Sequence, residues 1–289
     1  MATYSIKDLE LLTGIKAHTI RMWERRYGIV EPARTLTNIR NYSDDHLKKL
    51  LSISILNSCG MKISMLAKLN LDELSKTVSE VLEKHKSPGL LTDQLIVAMV
   101  NFDERKCNDL LNGSIAANGF GYTIEKVIFP FLDKLGIMWQ TNKIMPAHEH
   151  FATGLIRKKI FYETELLGPN KDNSPQIIYF LPEEEYHEIV LLALNYFGKA
   201  KGFSTLYLGQ SVPTEDIITI GKQLKPKMYV MSSTFPQPQR LEHLLKELSS
   251  NFPLATIVGG GPALDEVKRK PKNYAKLTSF VDFQKAITI

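Results

Sequence analysis

The feature that most constrains this chain is a change of hydrophobic period near residue 175. Before that point apolar residues recur at helical spacing. After it, short apolar runs alternate with helical segments. Residues 177–181 form an uninterrupted apolar run, as in a strand buried on both faces. Helices are expected over 187–198, 214–224 and 240–250, with strands over 204–208, 228–232 and 255–258. That alternation predicts a doubly wound parallel sheet. Ligands of such sheets sit at the carboxyl ends of the strands. The first strand-to-helix loop reads Pro182-Glu183-Glu184-Glu185-Tyr186-His187 and has no glycine fingerprint, which argues against a dinucleotide. His187 opens a helix behind three carboxylates. An exposed histidine at a helix start is the plainer reading. A metal ligand whose second nitrogen is bonded by Glu184 or Glu185 is the alternative.

The first seventy residues differ in charge from the rest. They hold 11 Lys and Arg against 6 Asp and Glu, and the remainder holds 25 of each. The whole excess of +5 therefore lies in the first quarter, the footprint of a phosphate-binding head on a neutral body or of a merely solvated surface. Ser5 can cap a helix with Asp8 in its first turn, and Thr13-Gly14 ends it. A second helix is expected over 16–27, where Ile20, Trp23 and Tyr27 share one face and Arg21 and Arg25 point elsewhere beside Arg26. Two short helices joined by a glycine turn form a helix-turn-helix. Residues 28–42 read as a hairpin wing with Arg34 and Arg40 flanking a polar tip, Thr35-Leu36-Thr37-Asn38. Ser43 with Asp44 and Asp45 caps a third helix, Gly60 ends it, and a fourth follows near 63–69.

From 90 to 167 the pattern is helical throughout, with helices over 90–101, 103–113, 122–137 (Pro130 inside) and 146–166. Four helices with short connections predict a four-helix bundle. Trp139 ends the third, and Glu149 and His150 lie in the first turns of the fourth. A tryptophan there is usually core, and a Glu-His pair is usually surface. The His148-Glu149-His150 spacing fails the i, i+4 geometry of a helical zinc site.

Composition sets the remaining bounds. At 289 residues with 44% hydrophobic and 23% charged side chains, the chain can bury two or three cores. Cys59 and Cys107 lack any Cys-x-x-Cys spacing, so a disulfide framework or thiolate zinc site is not expected, which suits a reducing cytoplasm. No signal pattern opens the chain and no apolar stretch approaches membrane-spanning length.

The runs Tyr4-Ser5-Ile6, Thr13-Gly14-Ile15, Thr19-Ile20-Arg21-Met22-Trp23-Glu24-Arg25-Arg26-Tyr27-Gly28, Pro32-Ala33-Arg34 and Arg40-Asn41-Tyr42-Ser43 resemble the DNA-binding domain of the MerR family. The Trp-Glu-Arg-Arg-Tyr-Gly run is similar to the branch that carries cobalamin-binding light sensors. The resemblance implies contacts to operator DNA from Arg21, Arg25, Arg26, Arg34, Arg40 and Tyr42, with Trp23 and Tyr27 in the core. The spacing from Trp139 to Glu149-His150 resembles the helical cap of cobalamin-binding sensors, where these residues face the upper side of the corrin and enclose its adenosyl group. Gln140 stands where some members carry a histidine. Glu185-x-His187, Ser232-Ser233-Thr234 and Gly259-Gly260 resemble the cobalamin-binding pattern Asp-x-His-x-x-Gly, Ser-x-Leu or Ser-x-Thr, and Gly-Gly; Leu208–Val212 with Pro213 also fits the second-strand loop. The resemblance implies His187 as the lower cobalt ligand, the metal site, with Glu185 behind it. It implies Ser232 and Thr234 at the displaced nucleotide base, and room for the nucleotide tail at Gly259-Gly260. Glu185 replaces Asp, and Val190 replaces Gly.

The expected organisation is a winged helix-turn-helix over 1–72, a linker over 73–89, a helical-bundle cap over 90–168 and a flavodoxin-like α/β domain over 175–289. The expected function is a MerR-type regulator, a repressor, that binds double-stranded operator DNA. It is controlled by adenosylcobalamin and by self-association as a dimer or tetramer, and it responds to light. Two rivals remain. One is a regulator whose sensory region has lost its ligand and serves oligomerisation or protein binding. The other is a corrinoid methyltransferase or mutase component, against which stands the absence of any segment for a substrate barrel of about 250 residues.

Overall fold

The computed structural model describes residues 4–34, 38–58, 60–84, 88–140, 144–169, 176–234, 237–280 and 282–283, with the backbone alone at 58, 79–84, 88 and 140. The chain divides into two compact units, residues 1–155 and 156–289. No helix among the described residues is long and apolar enough to cross a membrane.

The first unit opens with α1 (Ile6–Thr13) and α2 (Ala17–Tyr27). Ser5 and Asp8 form a reciprocal capping box on α1, and Gly14 ends it at φ 72°, a left-handed conformation that glycine adopts without strain. Glu10 on α1 accepts the Ala17 N–H at 3.1 Å, so one helix caps the next and sets the turn between them. The antiparallel pair β1 (Ala33–Arg34) and β2 (Arg40–Asn41) follows. A further bridge joins Tyr42 to Tyr4. Residues 35–37, most of the expected wing tip, lie outside the described residues.

Next come α3 (Asp44–Ser58), α4 (Ile63–Leu66) and α5 (Leu71–Lys84). The segment expected as a linker over 73–89 has a helix-compatible sequence, and Leu71–Lys84 form α5. It packs on α3 and buries Leu74 and Val78. Asp72, Glu73 and Lys76 are exposed, as the polar side of an amphipathic helix is.

Then come α6 (Pro88–Val100), α7 (Glu104–Asn118), α8 (Phe120–Thr123), α9 (Phe129–Gln140) and α10 (Pro146–Glu165). Between α8 and α9 residues Ile124–Ile128 form a π-helical turn just before Pro130. The wider turn accommodates a residue that has no N–H to donate and whose ring would strike the carbonyl four residues back. Helix α6 packs on α7, on the π turn and on α9. Thr92, Ser114 and Thr123 are buried there, and Ser114 and Thr123 share a hydrogen bond of 2.9 Å.

In the second unit, β3 (Ile177–Pro182), β4 (Thr205–Val212), β5 (Met228–Ser232), β6 (Thr256–Gly260) and β7 (Tyr274–Leu277) form one parallel sheet in the order β4-β3-β5-β6-β7. The intervening helices are α11 (Ile189–Ala200), α12 (Thr214–Leu224), α13 (Pro238–Asn251) and α14 (Pro262–Asp265). Every residue of β3 is buried, as an apolar run without alternation requires of a central strand. Ile178, Phe180, Tyr229, Met231 and Ile257 pack with Leu241, Leu244 and Leu248 of α13. Tyr179 and Tyr229 reach their hydroxyls into the places where Gly198 and Gly221 lack a Cβ. The fifth strand, β7, lies beyond the four that periodicity marks. The chain turns one way from β3 to β4 and the other way from β5 to β6, so the crevice of the fold opens at the carboxyl ends of β3 and β5.

Two helices share an uncommon cap. At α3 the Ser43 N–H donates to Nδ1 of His46 (3.1 Å), while Ser43 Oγ accepts the His46 N–H. At α10 the Met145 N–H donates to Nδ1 of His148 (3.2 Å). Histidine here does the work glutamate does in a capping box. Burial holds both imidazoles below the usual histidine range. The unfolded chain therefore takes up protons before the folded one does. The caps stabilise the fold above the ordinary value of 6.5, and this is lost as pH falls through it. Urea denaturation should show stability falling as pH drops below about 6.5. His46→Gln keeps an acceptor for Ser43 and should remove its share of that slope; an unaltered slope would show that the His46 ring is not what titrates.

Candidate DNA-binding head and corrinoid site

On α2 the face formed by Ile20 and Trp23 is buried, and Arg21, Arg25 and Arg26 are exposed. Arg21 and Arg25 stand one turn apart, with no salt-bridge partner among the described residues. The Arg26 guanidinium lies over the Tyr27 ring, 5.3 Å from its centroid. Glu24, on the same helix, turns toward the hairpin. Both its oxygens lie 3.1 Å from Arg40 Nε, and Arg34 approaches at 3.9 Å. Arg34 also donates to Asn38 across the hairpin. A single carboxylate thus fastens the hairpin to the helix. Helical spacing does not disclose this pairing, because Arg40 lies sixteen residues from Glu24.

Tyr42 corrects an expectation. It is 1% exposed, its backbone pairs with Tyr4, and its hydroxyl donates to Glu24 at 3.4 Å. Burial, followed by the nearby Glu24 charge, pushes its hydroxyl up to about 12. It holds the hairpin in place from inside and offers no surface to a phosphate.

In the α10 segment Glu149 Oε2 lies 2.7 Å from His150 Nδ1, and the His150 ring is exposed. Trp139, at the end of α9, is 46% exposed, so it is not the core residue that a bundle-end tryptophan usually is. The side chain of Gln140 lies outside what is described.

The crevice of the parallel sheet is organised by Glu185, 2% exposed. Its Oε1 accepts the N–H groups of Tyr186 and His187, both at 3.0 Å, and pairs with His187 Nδ1 at 2.6 Å. Its Oε2 accepts the Thr234 N–H at 2.6 Å and the hydroxyls of Ser233 and Thr234 at 3.2 Å. Thr234 Oγ1 also lies 2.7 Å from His187 Nδ1. Sequence reasoning singled out Ser232 and Thr234 but not Ser233, whose hydroxyl reaches the carboxylate. The loop is tied on its other flank by Ser211, which accepts the Glu184 N–H, and by Gln210, which donates to the Tyr186 carbonyl. Glu184, the other expected partner of His187, instead pairs with Arg240 and Gln237.

The His187 ring is 71% exposed. A carboxylate on Nδ1 makes that nitrogen the donor and puts the ligating lone pair on Nε2. Ser232 Oγ is buried with no hydrogen-bond partner, as if awaiting an acceptor or donor that the protein does not supply. Exposed imidazole, fixed tautomer and unmatched buried hydroxyl fit a corrinoid held from below. The glycine pair corrects another expectation. A Cβ on Gly259 would meet the Tyr274 ring at 2.8 Å, and one on Gly260 would meet the Leu277 carbonyl at 3.0 Å. The room these glycines leave is filled by β7, so close packing of the neighbouring strand explains both. Among the described residues no cluster of three or more His, Cys, Asp or Glu could hold a metal ion by itself. Any cobalt held here would come with its own macrocycle.

Residues 4–71 match the family model described as MerR HTH family regulatory protein, and residues 91–162 match the B12 binding domain. The chain is similar to the HTH-type transcriptional repressor CarH of Myxococcus xanthus, with 28% identity over 272 residues and 90% of each chain covered. It is also similar to the repressor CarA of the same organism, with 23% identity over 270 residues, covering 92% of this chain and 89% of the other. A monomethylamine corrinoid protein from Methanosarcina barkeri shares the fold at a TM-score of 0.55 and 17% identity, covering 70% of this chain and 99% of that one.

Glu185→Gln should be poorly tolerated. The amide would set an N–H₂ against N–H donors, leaving buried groups unsatisfied at about 1–3 kcal/mol. Thermal unfolding of the cofactor-free protein should show that loss, and Glu185→Asp should recover part of it. A Gln variant as stable as wild type would remove Glu185 from the centre of this account.

Proposed function

We propose that this chain, a MerR-type helix-turn-helix joined to a B12-binding domain, is a transcriptional repressor whose hold on operator DNA is governed by bound cobalamin. What carries the reading is colinearity. One alignment over nine-tenths of the chain joins an outward pair of arginines on α2 to an exposed histidine with a buried carboxylate on its Nδ1. Arg21 and Arg25 reach the major groove. Arg26 and Arg34 contact the backbone, and Arg40 does so while held by Glu24. The protein is a regulator and not an enzyme.

In the sensory region His187 is the lower ligand, Glu185 and Thr234 fix its tautomer, and Ser232 meets the displaced nucleotide base. Trp139, Glu149 and His150 face the upper side. The form bound is adenosylcobalamin, whose cobalt–carbon bond supplies sensitivity to light. Binding favours a self-associated state, a dimer or tetramer, that sets the spacing of the heads. Such control requires unequal affinity for the two states. Sensory regions that work by self-association without a corrin are a second reading, favoured by Tyr274 in the space beside Gly259 and by Val190 on α11.

Protein loaded with adenosylcobalamin in the dark and then desalted should carry corrin absorbance. It should also run larger on gel filtration than the same sample after illumination. His187→Ala should lose most of the absorbance. A colourless wild type would leave the second reading standing. Arg25→Ala should weaken binding to the protein's own promoter region by about 1–3 kcal/mol and lower the salt slope by about one if it meets phosphate. Wild-type gel shifts from both Arg25→Ala and Arg34→Ala would overturn the head assignment.

A further inference from the structure

A second buried carboxylate directly follows the exposed histidine, and the contacts above leave it unused. Glu188 is the N-cap residue of α11 and is buried. Its Oε2 accepts the Tyr207 hydroxyl from β4 at 2.8 Å. Its Oε1 lies 2.7 Å from Nε of Arg157 on α10. The Nε–H is not aligned for a hydrogen bond, so charge holds the pair together. Burial, helped by the hydroxyl's bond to Glu188, pushes the Tyr207 phenol up, which keeps it a donor. Phe161, one turn beyond Arg157, packs edge-on against the Tyr207 ring. All four residues belong to the unit formed by residues 156–289.

A carboxylate withdrawn from water must be paired, and removing its cation strands a buried charge. The loop of His187 is therefore held at two carboxylates. Glu185 is satisfied from the β5 side, and Glu188 from β4 and from α10. Helix α10 is the same helix whose first turns carry Glu149 and His150, and Arg157 follows His150 by seven positions, on the same face.

We propose that Arg157, acting through Glu188, is a positioning residue for His187. The inference rests on the reading of His187 as the lower ligand. Losing Arg157 lets the 184–188 loop drift and detunes the imidazole without touching the corrin. Tyr207→Phe, which removes one hydrogen bond and no charge, has a smaller effect.

The test uses the full chain as wild type, Arg157→Met, Arg157→Lys, Glu188→Gln and the double variant Arg157→Met/Glu188→Gln. Hydrogen exchange of residues 184–190 is measured without cofactor. Corrin affinity and the nitrogen splitting in the cobalt(II) spin-resonance spectrum are measured with it. Arg157→Met should speed exchange in the loop, weaken corrin binding by about 10- to 100-fold and diminish the histidine splitting. The double variant, which strands no charge, should recover fold stability but not the splitting. Where Arg157→Met does not fold, Arg157→Lys carries the same comparison in milder form. Wild-type exchange and wild-type splitting in the Arg157 variants would overturn the proposal. If wild type itself binds no corrin, the ligand reading falls, and the hydrogen exchange alone decides whether Arg157 orders the loop.

Discussion

The arrangement of the second unit depends on one buried carboxylate that collects hydrogen-bond donors from two loops. Glu185 accepts from the backbone beside it, from His187, and from Ser233 and Thr234 across the crevice. A carboxylate in that position without donors would be intolerable, so the two loops are obliged to meet there. The crevice of a doubly wound sheet is thereby closed at its floor, while the His187 ring is left largely in solvent. Rigid support beneath an accessible nitrogen is what a metal-ligating imidazole would require.

The first unit repeats the device in milder form. Glu24 turns away from the outward arginines of its own helix and takes Arg40, Arg34 and the Tyr42 hydroxyl. The consequence is a division of labour among cations. Those on the hairpin are partly spent on holding it in place, and those on the outer face of α2 remain available to an anionic partner.

The legibility of these features varied with their range along the chain. Helix caps at Ser5 and Gly14, the amphipathic face of α2 and the strand runs of the sheet are local, and local periodicity and turn chemistry disclose them. Tyr42 looked like part of a polar hairpin because nothing adjacent announces its partner Tyr4, thirty-eight residues earlier. The helix-compatible spacing of residues 71–84 is local and legible, whereas their packing on α3 is not. Gly259 and Gly260 suggested room for a ligand. The strand that fills that room, β7, is short and only half-buried, so it carries little apolar signal of its own. Ser233 was passed over because the pattern Ser-x-Thr leaves its middle position unspecified, and only the fold brings that hydroxyl to Glu185.

The amino-acid sequence by itself determined a basic helix-turn-helix head, a helical middle and a parallel α/β unit, along with the histidine and acidic run at the crevice. Each of these is written in nearest-neighbour spacing or in local charge. Only the tertiary structure decided which carboxylate meets which donor, which tyrosine goes inward and whether a glycine faces a void or a strand. Those outcomes turn on contacts between residues tens of positions apart, whose energies exist only once the backbone has brought them together.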